Sequence, residues 1–207
     1  MIKALVIGLT GQTGAGKSTV GDLLVKKGFY YIDCDKIARL VTEKGSPLLE
    51  ELASAFGPEI LKETGELDRK ELAVRAFATK EATRLLNSIT HPAIKKLVDK
   101  KVKGAFFDGY DVAIIDAPAL FESGIQNSCD IIVSVVADEQ TRLQRIMLRD
   151  YINEESAKLR MKAQLDEEYY KSHSDIIIHN DNNFHDLKEQ LSELVDLIEV
   201  KRNEAVT

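Results

Sequence analysis

The chain is short of the features that mark several protein classes. It has two cysteines in 207 residues, Cys34 and Cys129, so no disulfide framework is implied and a reducing, cytoplasmic compartment is expected. Its purely apolar runs, such as 131–133 and 135–137 on either side of Ser134, are far too short to span a bilayer. The N-terminal run lacks the basic region and cleavage site of a signal peptide. The four histidines, His91, His173, His179 and His185, show no metal-ligand spacing. A net charge of -6 supplies no field that would draw in nucleic acid or an anionic membrane. There is no low-complexity segment, linker or internal repeat. The remaining balance, 44% hydrophobic and 30% charged, is that of a soluble globular protein long enough for one full core. It leaves the oligomeric state open.

What the chain does have is concentrated first in "GLTGQTGAGKST" (8–19), which follows the apolar run "KALVIGL" (3–9) and opens a helical pattern. Gly11 and Gly16 occupy the two fixed glycine positions of a four-spacer phosphate loop, and Lys17 and Ser18 follow at once. Glycines let backbone N–H groups turn onto phosphate oxygens. The expected ATP site is therefore Gly11, Gln12, Thr13, Gly14, Ala15, Gly16, Lys17, Ser18 and Thr19. Lys17 supplies a point charge to the β and γ phosphates, and the Ser18 hydroxyl is the expected Mg²⁺ ligand.

The loop sits in a strand, helix, strand unit closed by "FYYID" (29–33), the seed of a parallel α/β sheet. "DVAIIDAP" (111–118), "DIIVSVVAD" (130–138) and "SDIIIHND" (174–181) bring the strand count to five. The expected fold is a three-layer, doubly wound parallel sheet of the nucleotide-kinase type, with ligands at the carboxyl ends of the strands. Residues 35–104 differ. Apolar residues recur there at three- and four-residue steps between glycines and prolines, with no clear strand. One domain over 1–207 is expected, with a core of 1–38, 106–138 and 166–207. A helical acceptor-binding insert would cover 39–105 and a helical lid 139–165. The last helix should bury Leu187, Leu191, Leu194, Val195 and Ile198 on one face.

Several charged residues then stand out. Strand alternation places Asp33 and Asp35 on one side of "IDCD", where a carboxylate could take a proton from an attacking hydroxyl. Asp35 also fits as the cap of the helix "KIARLV", which leaves Asp33 without a structural role. Asp116 ends an apolar run, where phosphate-loop proteins keep a carboxylate near the Mg²⁺ shell. Glu122 follows in "PALFESG", as a structural residue or a ligand contact. Arg142, Arg145 and Arg149 share a helix face. They fit either a lid that offsets charge on the transferring group or a solvated face paired with Asp138, Glu139, Asp150 and Glu154. His91 precedes Pro92 between two expected helices, as a cap or a substrate contact.

Taken in order, these segments resemble the dephospho-coenzyme A kinase family over nearly the whole chain. "GLTGQTGAGKST" is similar to the family's opening loop and "YIDCDKIAR" to its strand and helix carrying Asp-x-Asp. "ITHPAI" resembles the His-Pro break in its acceptor insert, and "DAPALFESG" its Pro-Leu-Leu-x-Glu turn. "QRIMLRD" and "RMKAQ" resemble its lid, and "SDIIIHND" its closing strand near the adenine. The resemblance implies transfer of the γ-phosphate of ATP, with Mg²⁺, to the ribose 3′-hydroxyl of dephospho-CoA. It implies that Asp33 is the base, that Lys17 and Ser18 hold phosphate and metal, and that Arg145 and Arg149 line the lid; Asp116, from its place at the strand end, is expected to reach the metal through water. Asp33, Asp35, Arg39, His91 and Glu122 are the expected acceptor contacts. The chain departs from the family's usual residues at Gln12, Thr13, Ala15, Ala119 and Asn182. A small-molecule kinase of the same fold acting on a nucleotide or sugar acid is the alternative. A guanine-nucleotide switch is disfavoured, because no Asn-Lys-x-Asp segment follows the fourth strand.

Overall fold

The computed structural model describes residues 4–181 and 183–204; the departure at Asn182 lies outside them. Contacts divide the chain into two compact units, 1–32 with 102–207 and 33–101. The second begins six residues before the expected insert.

The first unit is built on a five-stranded sheet in the order β2-β3-β1-β4-β5. Its strands are β1 (Leu5–Gly11), β2 (Tyr30–Asp33), β3 (Val112–Asp116), β4 (Ile131–Val136) and β5 (Ile176–His179). β1 pairs in parallel with β3 and β4, and β4 with β5. All seven residues of β1 are buried, as a strand covered on both faces requires. α1 (Lys17–Val25) leads from β1 towards β2, whereas the chain leaving β3 enters β4 on the other side of β1. The winding therefore reverses at β1, the place where such sheets bind ligands. β1 also runs two residues beyond the expected strand, and Gly11 stands opposite Val135. The approach is so close that a Cβ on Gly11 would lie 2.2 Å from the Val135 carbonyl oxygen.

Leu5, Ile7, Leu9, Ile114, Val133 and Val135 form the sheet's share of the core. Against them pack Val20 and Leu24 of α1, and Leu187, Leu191, Leu194 and Ile198 of the C-terminal helix, with Val195 at the margin. That is the apolar face expected from the sequence. On β1, Gly8 makes room for a side chain: a Cβ there would come within 2.8 Å of Cys129 Sγ. Burial pushes the Cys129 thiol up to about 12, with the Asp130 charge adding to it. Among the described residues no helix is long and apolar enough to cross a membrane.

The second unit is helical. It holds α2 (Cys34–Leu40), α3 (Pro47–Phe56), α4 (Arg69–Ala76) and most of α5 (Lys80–Phe107). Ser46 caps α3 through the Leu49 amide, with Pro47 in the first turn, where its missing N–H costs nothing. Asp68 caps α4. Leu49, Leu52, Ile60, Leu67, Leu72 and Ala76 make a separate small core. One strand-like contact is present, an antiparallel bridge between Leu61 and Leu67.

The expected break at His91-Pro92 is absent, and α5 runs through Pro92 for 28 residues. A proline inside a helix costs about 3 kcal/mol, because it loses one hydrogen bond and crowds the carbonyl four residues back. Tertiary burial outweighs that cost. Leu86 and Ile89 pack on the small core before the proline, and Val98 and Ala105 are buried after it. The hydroxyls of Ser88 and Thr90 also donate to the Leu85 and Leu86 carbonyls.

Candidate active site

The phosphate loop is shaped by what holds its carbonyls. Arg142 Nε donates to the Thr13 oxygen at 3.0 Å, and Asn180 Nδ2 to the Ala15 oxygen at 2.7 Å. Arg145 Nη1 donates to the Asn180 oxygen at 2.8 Å and reaches the Gly14 and Ala15 oxygens at 3.4 Å. In a trans peptide the N–H lies opposite the carbonyl. Holding the Thr13 and Ala15 oxygens outward therefore turns the Gly14 and Gly16 N–H groups the other way. Gly16 begins α1 in the left-handed region without a side-chain cap. A Cβ there would lie 2.2 Å from Asn180 Nδ2, so glycine is required for space as well as conformation. The uncapped start of α1, with its dipole, favours an anion.

Lys17 opens α1 and pairs with Asp116, the last residue of β3. The hydroxyl of Tyr31, on β2, donates to the other oxygen of the same carboxylate. Asp116 is 8% exposed, so burial of its charge depends on these two partners. Ser18 and Thr19 are exposed on the first turn of α1, whereas Gln12 is buried.

The structure therefore brings the loop, Lys17, Asp116 and Arg145 into one set of contacts at the carboxyl ends of the strands. Arg149 lies apart from the loop carbonyls. It is exposed and pairs with Asp150, which also holds Arg160. Glu122 is exposed too, and its charge acts on Tyr170. Burial, with Glu122 adding, pushes the Tyr170 hydroxyl up to about 12.

In the second unit the helix cap falls to the other carboxylate. Asp33, not Asp35, caps α2: its carboxylate accepts the Lys36 N–H at 2.9 Å and lies 3.4 Å from Lys36 Nζ. The chain turns helical at Cys34, so strand alternation stops at Asp33 and does not carry on to Asp35, which sits exposed in the first helical turn. Burial raises the Asp33 carboxyl, but the Lys36 amide and ammonium outweigh it and hold the group below its usual value. Arg39 is exposed near the end of α2, and its carbonyl accepts from Arg69 Nη2 at 3.4 Å. His91 lies within α5 rather than between two helices. It is half-buried, and burial holds its imidazole below the usual value.

Three contributors were missed in the sequence. Tyr31 stands two residues before Asp33 on the same strand, and alternation alone could have paired their sides. Asn180 follows β5, in the stretch singled out as the closing strand but without a role. Gln164 accepts the Thr13 N–H at 2.6 Å across 151 residues, and no local pattern signals that. His185, Asp186 and Glu189 bring donor atoms within 4.8 Å of one another at the start of the C-terminal helix, all exposed.

Comparison with known proteins gives the family. A family model for dephospho-CoA kinase matches residues 5–186. A dephospho-CoA kinase from Corynebacterium glutamicum is 41% identical over 191 residues, spanning 92% of this chain and 98% of the relative. One from Fusobacterium nucleatum is 41% identical over 198 residues, or 94% and 98% of the two chains. The solved structure of a dephospho-CoA kinase from Campylobacter jejuni superimposes with a TM-score of 0.70 at 28% identity, covering 96% of this chain and 98% of that one. The match takes in the phosphate loop, the helical insert and the segment of Arg142 and Arg145 alike, and by it the chain belongs to the dephospho-CoA kinase family.

Proposed function

We propose that this protein transfers the γ-phosphate of ATP to the ribose 3′-hydroxyl of dephospho-CoA, giving coenzyme A and ADP. The observation that carries this reading is the family match over residues 5–186, which spans both the phosphate loop and the helical insert. In the reaction the ribose oxygen forms the new bond to phosphorus and the bond to the ADP oxygen breaks. The hydroxyl proton passes to Asp33. Lys17 turns from Asp116 to the β and γ phosphates, and loop N–H groups hold the rest of the triphosphate.

Ser18 and Asp116 are hard oxygen donors of the kind Mg²⁺ takes. The Ser18 side chain is exposed; the Asp116 oxygen that Lys17 leaves when it turns to the phosphates is open to a water, while Tyr31 keeps the other. The set therefore fits an ion held by Ser18 directly and by Asp116 through water. The bound ion would draw charge from the phosphates. Asp35, Arg39, His91 and Glu122 are proposed to contact the acceptor.

Arg145 and Arg149 are proposed to act on the transferring group as the segment 139–165 closes. Arg145→Ala should lower kcat about tenfold or more and weaken ATP binding by less, because a contact made in the closed, reacting state appears chiefly in kcat. A change confined to ATP affinity would end that role.

An acceptor screen with ATP and Mg²⁺ tests the whole reading. Dephospho-CoA should be phosphorylated in preference to AMP, CMP, shikimate and gluconate. Preference for any of these four transfers the chain to another kinase specificity.

A further inference from the structure

The peptides on either side of Thr13 are held from outside the loop. Gln164 Oε1 accepts the Thr13 N–H at 2.6 Å, and Arg142 Nε donates to the Thr13 oxygen at 3.0 Å. The two side chains come from opposite ends of one packed body. Arg142 lies on α6 (Glu139–Asp150), and Gln164 stands two residues beyond α7 (Glu154–Lys162). Leu143 and Ile146 of α6 pack with Ala157 of α7, and Met147, Ile152 and Met161 close around them. Arg142 is 6% exposed, so its guanidinium is largely shielded from water. Burial acts against its charge, with Glu167 and Glu139 opposing that effect. The loop also presses on α6 directly: a Cβ on Gly14 would lie 2.7 Å from the Arg142 carbonyl oxygen and 3.0 Å from Ile146 Cγ1.

We infer that Gln164 is a positioning residue for ATP binding, which fixes the shape of the phosphate loop by holding the Thr13 N–H. The inference deepens the proposed function and rests on its ATP site. The chemistry favours an amide oxygen at this place. A triphosphate at neutral pH offers acceptors only, so Gln164 Oε1 has nothing to gain from the phosphates and does not compete for them. Its partner is the backbone. With the Thr13 N–H held by Gln164 and the Thr13 oxygen held by Arg142, the next peptide keeps its Gly14 N–H turned inward. Without Gln164, one of the two holds is lost and the Thr13 peptide can rotate.

Gln164→Met tests this, since methionine keeps the length and bulk of the side chain and removes the acceptor. One neutral hydrogen bond corresponds to roughly a fivefold change in an equilibrium. The Kd for ATP, measured without any acceptor substrate, should rise about fivefold. The kcat at saturating ATP should stay within about twofold, because the loop's shape serves ground state and transition state alike. A side chain that merely tied down the end of α7 would lower Tm and leave the Kd unchanged, and that result would overturn the inference. Amide hydrogen exchange of Thr13 in the unmodified protein gives a second test. The N–H should exchange at least about tenfold more slowly than in a free peptide, and exchange at the free-peptide rate would overturn the inference too. Neither measurement uses dephospho-CoA. Failure of the acceptor screen would therefore leave this result standing, and an unchanged Kd for ATP would leave the acceptor assignment untouched.

Discussion

Lys17→Ala should lower kcat by at least about 10²–10³-fold, the range seen when one preorganised electrostatic contact to a developing charge is removed. The same substitution should also lower Tm, because Lys17 pairs with a buried Asp116. Removing it leaves that carboxylate with the Tyr31 hydroxyl and without a cation. Breaking a buried pair from one side costs about 3 kcal/mol. Inactivity of the single variant could then be blamed on a weakened fold. Lys17→Ala combined with Asp116→Asn separates the two effects. The neutral amide removes the uncompensated charge, and its oxygen can still accept from Tyr31. The double variant should regain most of the lost Tm by thermal melting and none of the lost turnover. Near-normal turnover in Lys17→Ala would refute the phosphate-binding role of this lysine.

Asp33→Asn should lower kcat by about 10²–10⁴-fold, the usual contribution of a general base, with little change in acceptor affinity. The choice of asparagine follows from the cap. Asp33 accepts the Lys36 N–H at the start of α2, and asparagine caps helices about as well as aspartate, whereas alanine would cost about 1 kcal/mol. The asparagine variant therefore removes basicity and keeps the helix start. The partners of Asp33 also set a pH signature. Its carboxyl is held below the usual value, so it stays ionised to lower pH than a free carboxylate. The acid limb of kcat/KM that reports it should lie below the usual carboxylate range. Unchanged turnover in Asp33→Asn would move the base elsewhere, with Asp35 the first candidate, and leave the acceptor assignment intact.

The contrast between Lys17 and Asp33 indicates which parts of this protein can be read from its sequence. The phosphate loop is legible because its chemistry needs fixed residue types at fixed spacing on one short segment. The C-terminal helix is legible because Leu187, Leu191, Leu194 and Ile198 repeat at the helical period. The start of α2 lies two residues before the expected one, at Cys34 instead of Lys36. A helix from Lys36 makes Asp35 its cap, but β2 becomes α2 at Cys34 and the cap falls to Asp33. Pro92 was read by its local cost, which burial on both sides of it overrides. Tyr31 shares a strand side with Asp33, and Gln164 closes the segment 160–164 likened to the lid, but their partners could not be read locally, since Asp116 and Thr13 lie 85 and 151 residues away. Local pattern reveals what a segment can do alone. The partners that hold it come from the packed fold.

The fit of Cys129 against Gly8 bears on thiol–disulfide exchange. Dephospho-CoA and coenzyme A both end in a free thiol, so a kinase acting on them works beside a steady supply of exchange partners. Exchange needs a thiolate as attacking group. With the Cys129 thiol pushed up to about 12 by burial, the thiolate is scarce at neutral pH. Cys34, the other cysteine, is buried in the first residue of α2, where access to a bulky disulfide is closed. Mixed disulfides between this enzyme and oxidised forms of its substrate or product should form slowly even when those forms accumulate. Incubation with coenzyme A disulfide should accordingly leave the folded chain at its unmodified mass of 23.1 kDa, with adducts appearing only once the chain is unfolded.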